Sequence, residues 1–475
     1  MKKHKLNKEK QSKINVFDCL IPIIFVLAMI VPIIISQSQE YIVQYGDDIS
    51  TISWAKDHTI LDIFTSKLGA GYRPIMNFFY VLGYTLWGSE ASFYYLFSGL
   101  LFSGGMVFLY LLGKTLHSKL AGISAILLYL FLDASFILVS KINFIVTTGE
   151  IFFITSALYF SINYIKNKDN ISKWLAIILS TLVFLTKEPS LLIIPTVILT
   201  YLYLKKELHI KYIILCLIPF LYMFIEIIFI SPDVGGGRVN LIERIMNNIK
   251  FYFDTEINSQ FKTPILLGIS LLAAAYYNSY NNIKDEIMLC VVWFIAGILP
   301  FLVTQQPVQP TYLAEANLGM VLLIGIVISE STKKINIITG LLVMGIIFQA
   351  ILIPTQITNM QNYNKMISDN QNTFLDTILE IKNIPENENI FYLSEEIRNK
   401  YDGYQINEGF FIDYLYIKDI NINVTTDYNE SDYIILPSTL DIQIFQKEYS
   451  GEINKLQVIK QIQNNNDYGF ILKKV

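Results

Sequence analysis

Apolar runs of roughly twenty residues, separated by short polar loops, recur from about residue 16 to residue 354, and they constrain the fold more than any single motif does. A helix of that length matches the hydrocarbon thickness of a bilayer, whereas membrane strands would show short alternating segments. The chain is 53% hydrophobic and 16% charged over 475 residues, which excludes an ordinary soluble globule and a disordered chain alike. The expected fold is an α-helical polytopic membrane protein of about eleven transmembrane helices.

The spans fall at about 16–36, 91–113, 120–139, 145–165, 174–186, 189–204, 212–231, 264–280, 287–304, 312–329 and 335–354. Loop charge fixes their direction. The N-terminus carries Lys2, Lys3, Lys5, Lys8, Lys10 and Lys13. Alternate loops then hold Lys114 with Lys119, Lys166 with Lys168 and Lys173, Lys205 with Lys206 and Lys211, Lys284, and Lys333 with Lys334. That asymmetry places these loops and the N-terminus in the cytoplasm of a multi-pass plasma-membrane protein. Keeping Lys205 and Lys206 inside requires two short helices broken at Lys187-Glu188-Pro189 rather than one long span. An odd number of spans puts the C-terminus outside.

Beyond about Thr355 the charge rises and the apolar runs shorten to strand length. Met366 to Ile384 has helical spacing, while Asn389–Leu393, Asp432–Leu436, Gln457–Gln463 and Tyr468–Lys474 read as strands. The expected organisation is a cytoplasmic tail at 1–15, a transmembrane domain at 16–354 with an outer loop at 37–90, and a small extracytoplasmic α/β domain at 355–475. The three cysteines, Cys19, Cys216 and Cys290, lie far apart in apolar runs and suggest neither a disulfide framework nor a metal site. There is no glycine-rich nucleotide fingerprint or basic patch, so nucleic acid is not an expected partner.

Chemistry concentrates in the outer loops. Asp47 and Asp48 follow the first span, and the spacing of Ile49, Ile52, Ile60, Ile63, Phe64 and Leu68 predicts a helix lying on the outer surface with the acids at its N-terminal end. Backbone N–H groups there keep a carboxylate ionised, and an ionised carboxylate can serve as a base. The competing reading is a helix cap. Arg73 precedes Pro74, which biases it to an extended backbone, and its guanidinium can take phosphate oxygens in a bidentate manner. Interfacial anchoring is the alternative. Lys187 and Glu188, at the break between two short helices, require a wet or protein-lined cavity, as a self-satisfied ion pair or as a functional charge.

Lys141, Asn143 and Glu150 form a further polar group on the same side, with Glu150 inside its span and therefore facing a cavity or protonated. Gly235-Gly236-Gly237-Arg238 is a lid or a flexible connector with one cation. Tyr312 and Glu315 open the tenth span with no role apparent from the residues alone.

The acidic pair in the first outer loop, Arg73-Pro74, the run Phe184-Leu185-Thr186-Lys187 between short helices and the soluble C-terminal domain together resemble the C-superfamily of polytopic glycosyltransferases. Nearest in pattern is the protein O-mannosyltransferase and lipid A aminoarabinose transferase group. The resemblance implies a catalytic base at Asp47, with Asp48 beside it, and donor-phosphate contacts from Arg73 and Lys187. It also implies that Tyr312-Leu313 and Ala316-Asn317-Leu318-Gly319 form the family's late span, and it favours inversion at the anomeric carbon.

Lys141, Asn143, Glu150, Glu188, Arg238 and Tyr312 are the chain's candidate supporting residues. Three departures stand out: Thr311 replaces an expected arginine, Asn143 only loosely matches an expected acid or amide, and no double Trp-Asp signature of oligosaccharyltransferases is present. The last argues against transfer of whole oligosaccharides.

The function implied is transfer of a monosaccharide from a polyprenyl-phosphate donor to an envelope glycan, teichoic acid or protein at the outer face of the bilayer. No cofactor is expected, because phosphate carries leaving-group charge well and two organic cations can replace a metal, although the acids could recruit a divalent ion. The rival readings are a lipid-linked-sugar flippase or transporter, a surface-polysaccharide polymerase or ligase, and a catalytically silent scaffold.

Overall fold

The computed structural model describes residues 46–64, 73–130, 142–187, 190–207, 280–303, 313–331, 376–386, 388–393, 420–464 and 467–475, with isolated positions between them. Its helices in chain order are α1 (Gly46–Asp57), α2 (Pro74–Trp87), α3 (Ala91–Leu116), α4 (Lys119–Leu130), α5 (Ile145–Asn167), α6 (Asn170–Phe184), α7 (Ser190–Lys205), α8 (Tyr280–Val303), α9 (Ala314–Ser331) and α10 (Thr439–Glu448). The strands are β1 (Asn389–Phe391), β2 (Asn423–Thr425), β3 (Tyr433–Leu436), β4 (Leu456–Asn464) and β5 (Asp467–Lys474). The protein is an α-helical polytopic membrane protein with a small C-terminal α/β sheet domain.

Among the described residues, Ser92–Leu116, Ile145–Asn167 and Ile283–Leu302 are long and apolar enough to cross a bilayer. Helices answer the expected spans at 91–113, 120–139, 145–165, 174–186, 189–204, 287–304 and 312–329. The spans read at 16–36, 212–231, 264–280 and 335–354 lie outside the described residues, apart from isolated positions. The chain divides into two compact units. One comprises 1–32, 99–137 and 147–350; the other comprises 33–98, 138–146 and 351–475.

In the first unit the helices approach closely through small residues. A Cβ on Gly325 of α9 would stand 2.4 Å from the carbonyl oxygen of Ala121 in α4, so only glycine allows this approach. Polar side chains then tie the same helices. Tyr129 of α4 donates to the Ala314 carbonyl at 3.0 Å, and Trp293 of α8 donates through Nε1 to the Glu315 carbonyl at 3.1 Å. Asp169 caps α6 by accepting from the Ile171 and Ser172 amides, and α6 ends at Phe184 before α7 begins at Ser190. The expected break at Lys187-Glu188-Pro189 therefore falls between two helices.

The second unit holds the loop helices and the sheet. Of the loop 37–90, only the stretch from Asp48 to Gly69 was expected to be helical, yet α2 is also a helix within it, started by Pro74 at its first turn. It ends at Gly88, whose φ of 57° permits its N–H to reach the Tyr84 carbonyl at 2.7 Å. The helix expected to lie on the outer surface is shorter than expected: α1 stops at Asp57, and Asp62 then accepts from the Thr59 amide and hydroxyl, each at 2.7 Å. Nor is α1 a surface helix with one apolar face, since Asp48, Thr51 and Ser53 are buried together with Ile49, Ile52 and Ala55.

The sheet has the order β2-β1-β3-β5-β4, with β1 parallel to both neighbours and β5 antiparallel to β3 and β4. Alternation along β1 and the residue after it sends Phe391 into a core with Ile434, Leu436, Phe445 and Leu472, while the ring of Tyr392 stacks on Phe411 at 4.1 Å. All four expected strands are present. The short β2 and helix α10, which Ser438 caps, are additional.

Candidate functional site

The candidate residues fall into two groups, one in each unit. In the second unit, α1 (Gly46–Asp57) carries the adjacent acids Asp47 and Asp48. Asp47 is described in its backbone only. Asp48 is fully buried, and its Oδ2 accepts the Ile142 amide at 3.1 Å.

Ile142 opens the 3-10 turn Ile142–Phe144, and its carbonyl accepts from the buried hydroxyl of Tyr80 at 3.3 Å. The turn is thus gripped from α1 through its N–H and from α2 through its C=O. Asn143, described in its backbone only, is the next residue in that turn. Arg73 lies immediately before α2 with φ −130° and ψ 66°, a non-helical backbone that its following proline requires, and its side chain is half-buried. Its carbonyl accepts the Asn77 amide at 2.9 Å, and Asn77 donates in turn to the Ile63 carbonyl at 3.2 Å. Further along α1, Ser53 donates to Asp413 Oδ1 of the C-terminal region at 3.1 Å.

In the first unit Lys187 follows the last turn of α6. Its ammonium lies 3.0 Å from Glu315 Oε1, 3.4 Å from Glu150 Oε2 and 3.5 Å from Thr147 Oγ1, with the Phe301 ring centroid at 5.8 Å. Both glutamates are fully buried and Lys187 is nearly so. Thr147 and Glu150 share one face of α5 by their spacing of three. Glu315 lies in the first turn of α9.

The sequence reading grouped Glu150 with Lys141 and Asn143, paired Lys187 with Glu188, and left Glu315 without a role. The structure joins all three. Tyr80, Ser53 and Asp413 were not foreseen. Lys141, Glu188, Arg238 and Tyr312 lie outside the described residues.

Residues 72–235 match the family model described as dolichyl-phosphate-mannose-protein mannosyltransferase. An uncharacterized protein of Aquifex aeolicus is 29% identical over 289 residues, covering 56% of this chain and 54% of its own length. The chain thus spans about half the length of the curated relative it matches. Among solved structures, ArnT from Cupriavidus metallidurans bound to undecaprenyl phosphate superposes with a TM-score of 0.51 at 11% identity, covering 94% of this chain and 97% of that one. The Archaeoglobus fulgidus oligosaccharyltransferase tethered to an acceptor peptide gives 0.50 at 12% identity, covering 88% and 68% respectively. The chain has the fold of the C-superfamily glycosyltransferases, and the resemblance read from its motifs is borne out by the family model and by that shared fold.

Proposed function

We propose that the protein is a membrane glycosyltransferase that moves a monosaccharide from a polyprenyl-phosphate donor to an envelope or secreted acceptor on the outer face of the membrane. The observation that carries this reading is the acidic pair in α1, where Asp48 is buried and accepts the amide of Ile142. The undecaprenyl phosphate in the ArnT structure and the acceptor peptide in the archaeal enzyme support the donor and acceptor classes by analogy.

In this mechanism an acceptor hydroxyl oxygen attacks the anomeric carbon, Asp47 takes its proton, and the bond from that carbon to the phosphate oxygen breaks. Polyprenyl phosphate departs with the bonding electrons. Asp48, occupied with the Ile142 amide, positions the helix rather than accepting the proton. Cationic side chains stabilise the phosphate charge, and Arg73 and Lys187 are the two that the motif resemblance assigns to it.

No obligatory metal enters this proposal, so a chelator is expected to leave turnover unchanged. The deciding assay is release of polyprenyl phosphate from synthetic polyprenyl-phosphate sugars by purified protein, with crude envelope as the acceptor source. Release by the wild type and not by Asp47→Asn supports the proposal. Movement of lipid-linked sugar without release would favour a flippase.

A further inference from the structure

We infer that Glu315 and Glu150 are internal counter-ions of Lys187, which an arriving anionic headgroup must displace, so that this pair sets how tightly Lys187 takes a phosphate. The inference rests on the reading that Lys187 receives the donor phosphate. The ammonium donates to Glu315 Oε1 at 3.0 Å and to Thr147 Oγ1 at 3.5 Å, and Glu150 Oε2 stands beside it as an ion-pair partner at 3.4 Å. A phosphate oxygen approaching this ammonium competes with two acids already beside it.

Two carboxylates facing one ammonium also repel any further anion, and burial of all three groups leaves little water to screen that repulsion. Glu315 is the stronger competitor. It is the nearer of the two acids, and the Trp293 indole fixes the backbone carbonyl of Glu315 at 3.1 Å, which holds the residue in place. Glu150, at 3.4 Å, lies on the α5 face that also presents Thr147.

This arrangement predicts an effect opposite in sign to that of a simple structural clamp. If the glutamates only held Lys187 in position, removing a charge would loosen the lysine and weaken phosphate binding. If they compete with the phosphate, removing a charge while keeping the shape strengthens it.

The test measures the affinity of the purified full chain in nanodiscs for undecaprenyl phosphate, for wild type, Glu315→Gln, Glu150→Gln, Lys187→Met and the double variant Lys187→Met with Glu315→Gln. Glu315→Gln is expected to bind about tenfold tighter. A smaller gain is expected for Glu150→Gln, and none when Lys187 is also replaced. Tighter binding in whichever glutamine variant is monodisperse supports the inference, and unchanged or weaker binding there overturns it. Should Lys187→Met bind as tightly as wild type, the phosphate reading of Lys187 itself falls and takes this inference with it, a result that the glutamine variants alone cannot mimic.

Discussion

Asp47 and Asp48 are chemically identical neighbours to which the proposed mechanism gives different work, a division that isosteric substitution can test. Asp48 is fully buried, and its Oδ2 accepts the Ile142 amide at 3.1 Å. Asp48→Asn keeps a carbonyl oxygen in that position and so keeps the acceptor. Asp48→Ala removes it and leaves a buried N–H without this partner, at a cost of about 1–3 kcal/mol. If the anchored geometry is required for turnover, that energy corresponds to a loss of about 5- to 150-fold.

Asp47→Asn behaves differently, because an amide cannot take a proton: removal of a general base costs about a hundred- to ten-thousand-fold. The assay is the initial rate of polyprenyl phosphate release at saturating donor, with binding of undecaprenyl phosphate measured in parallel to separate chemistry from affinity. The expected order of rates is wild type, then Asp48→Asn, then Asp48→Ala, with Asp47→Asn lowest and its lipid affinity retained. If Asp48→Asn is as inactive as Asp47→Asn, Asp48 is not merely an anchor. An active Asp47→Asn removes the base from the mechanism.

The Ser53 to Asp413 hydrogen bond predicts coupling between α1 and the C-terminal region: in a double-mutant cycle of Ser53→Ala and Asp413→Ala on the release rate, a coupling of about 0.5–1.5 kcal/mol is expected, and strict additivity would refute it. Asp413→Asn, which retains an acceptor oxygen, is expected to behave like wild type. The Asp62 carboxyl is held below its ordinary value of 3.8, first by the Thr59 hydroxyl and then by the Thr59 amide. Because the folded-state value is the lower one, the contribution of this turn is present above the ordinary value and is lost as pH falls through the folded one. Hydrogen exchange at residues 59–62 should therefore show protection that declines below about pH 4 in wild type. Protection in Asp62→Asn is expected to be flat with pH, and a parallel decline in both proteins would refute the assignment.

Fold class was legible because span length and lysine placement are direct consequences of the bilayer. The break at Lys187-Glu188-Pro189 was legible for the same reason: one long helix would have put Lys205 and Lys206 on the wrong side. Helix α2 was hidden because its 14 residues are too few to span, and an apolar stretch of that length inside a loop carries no topological signal. Strand β2 has only three residues, none of them fully buried, so no alternation marks it.

Glu315 shows where sequence reasoning stopped short. Glu150 and Glu315 each interrupt an apolar span, and Lys187 stands in a helix break, so the cost of placing any one of them in a membrane already demanded partners. Pairing opposite charges across spans would have joined them, but only the fold decides which acids reach the lysine.

The acid-bearing helix makes a related point about distance along the chain. Asp48 meets Ile142 across a separation of 94 residues, and Ser53 meets Asp413 across 360. Both contacts originate within two turns of α1, and both bind it to parts of its own compact unit. The identity of the acids is a local property that a sequence displays, whereas the placement of their helix is set by a turn before α5 and by Asp413. In the proposed mechanism a carboxylate that receives a proton must keep its place while substrates exchange, and a short helix is marginal when left alone. Fixing it at Asp48 and at Ser53 to remote backbone and side-chain groups supplies that constancy. It also explains why α1 is buried around most of its circumference rather than resting on a surface by a single apolar face.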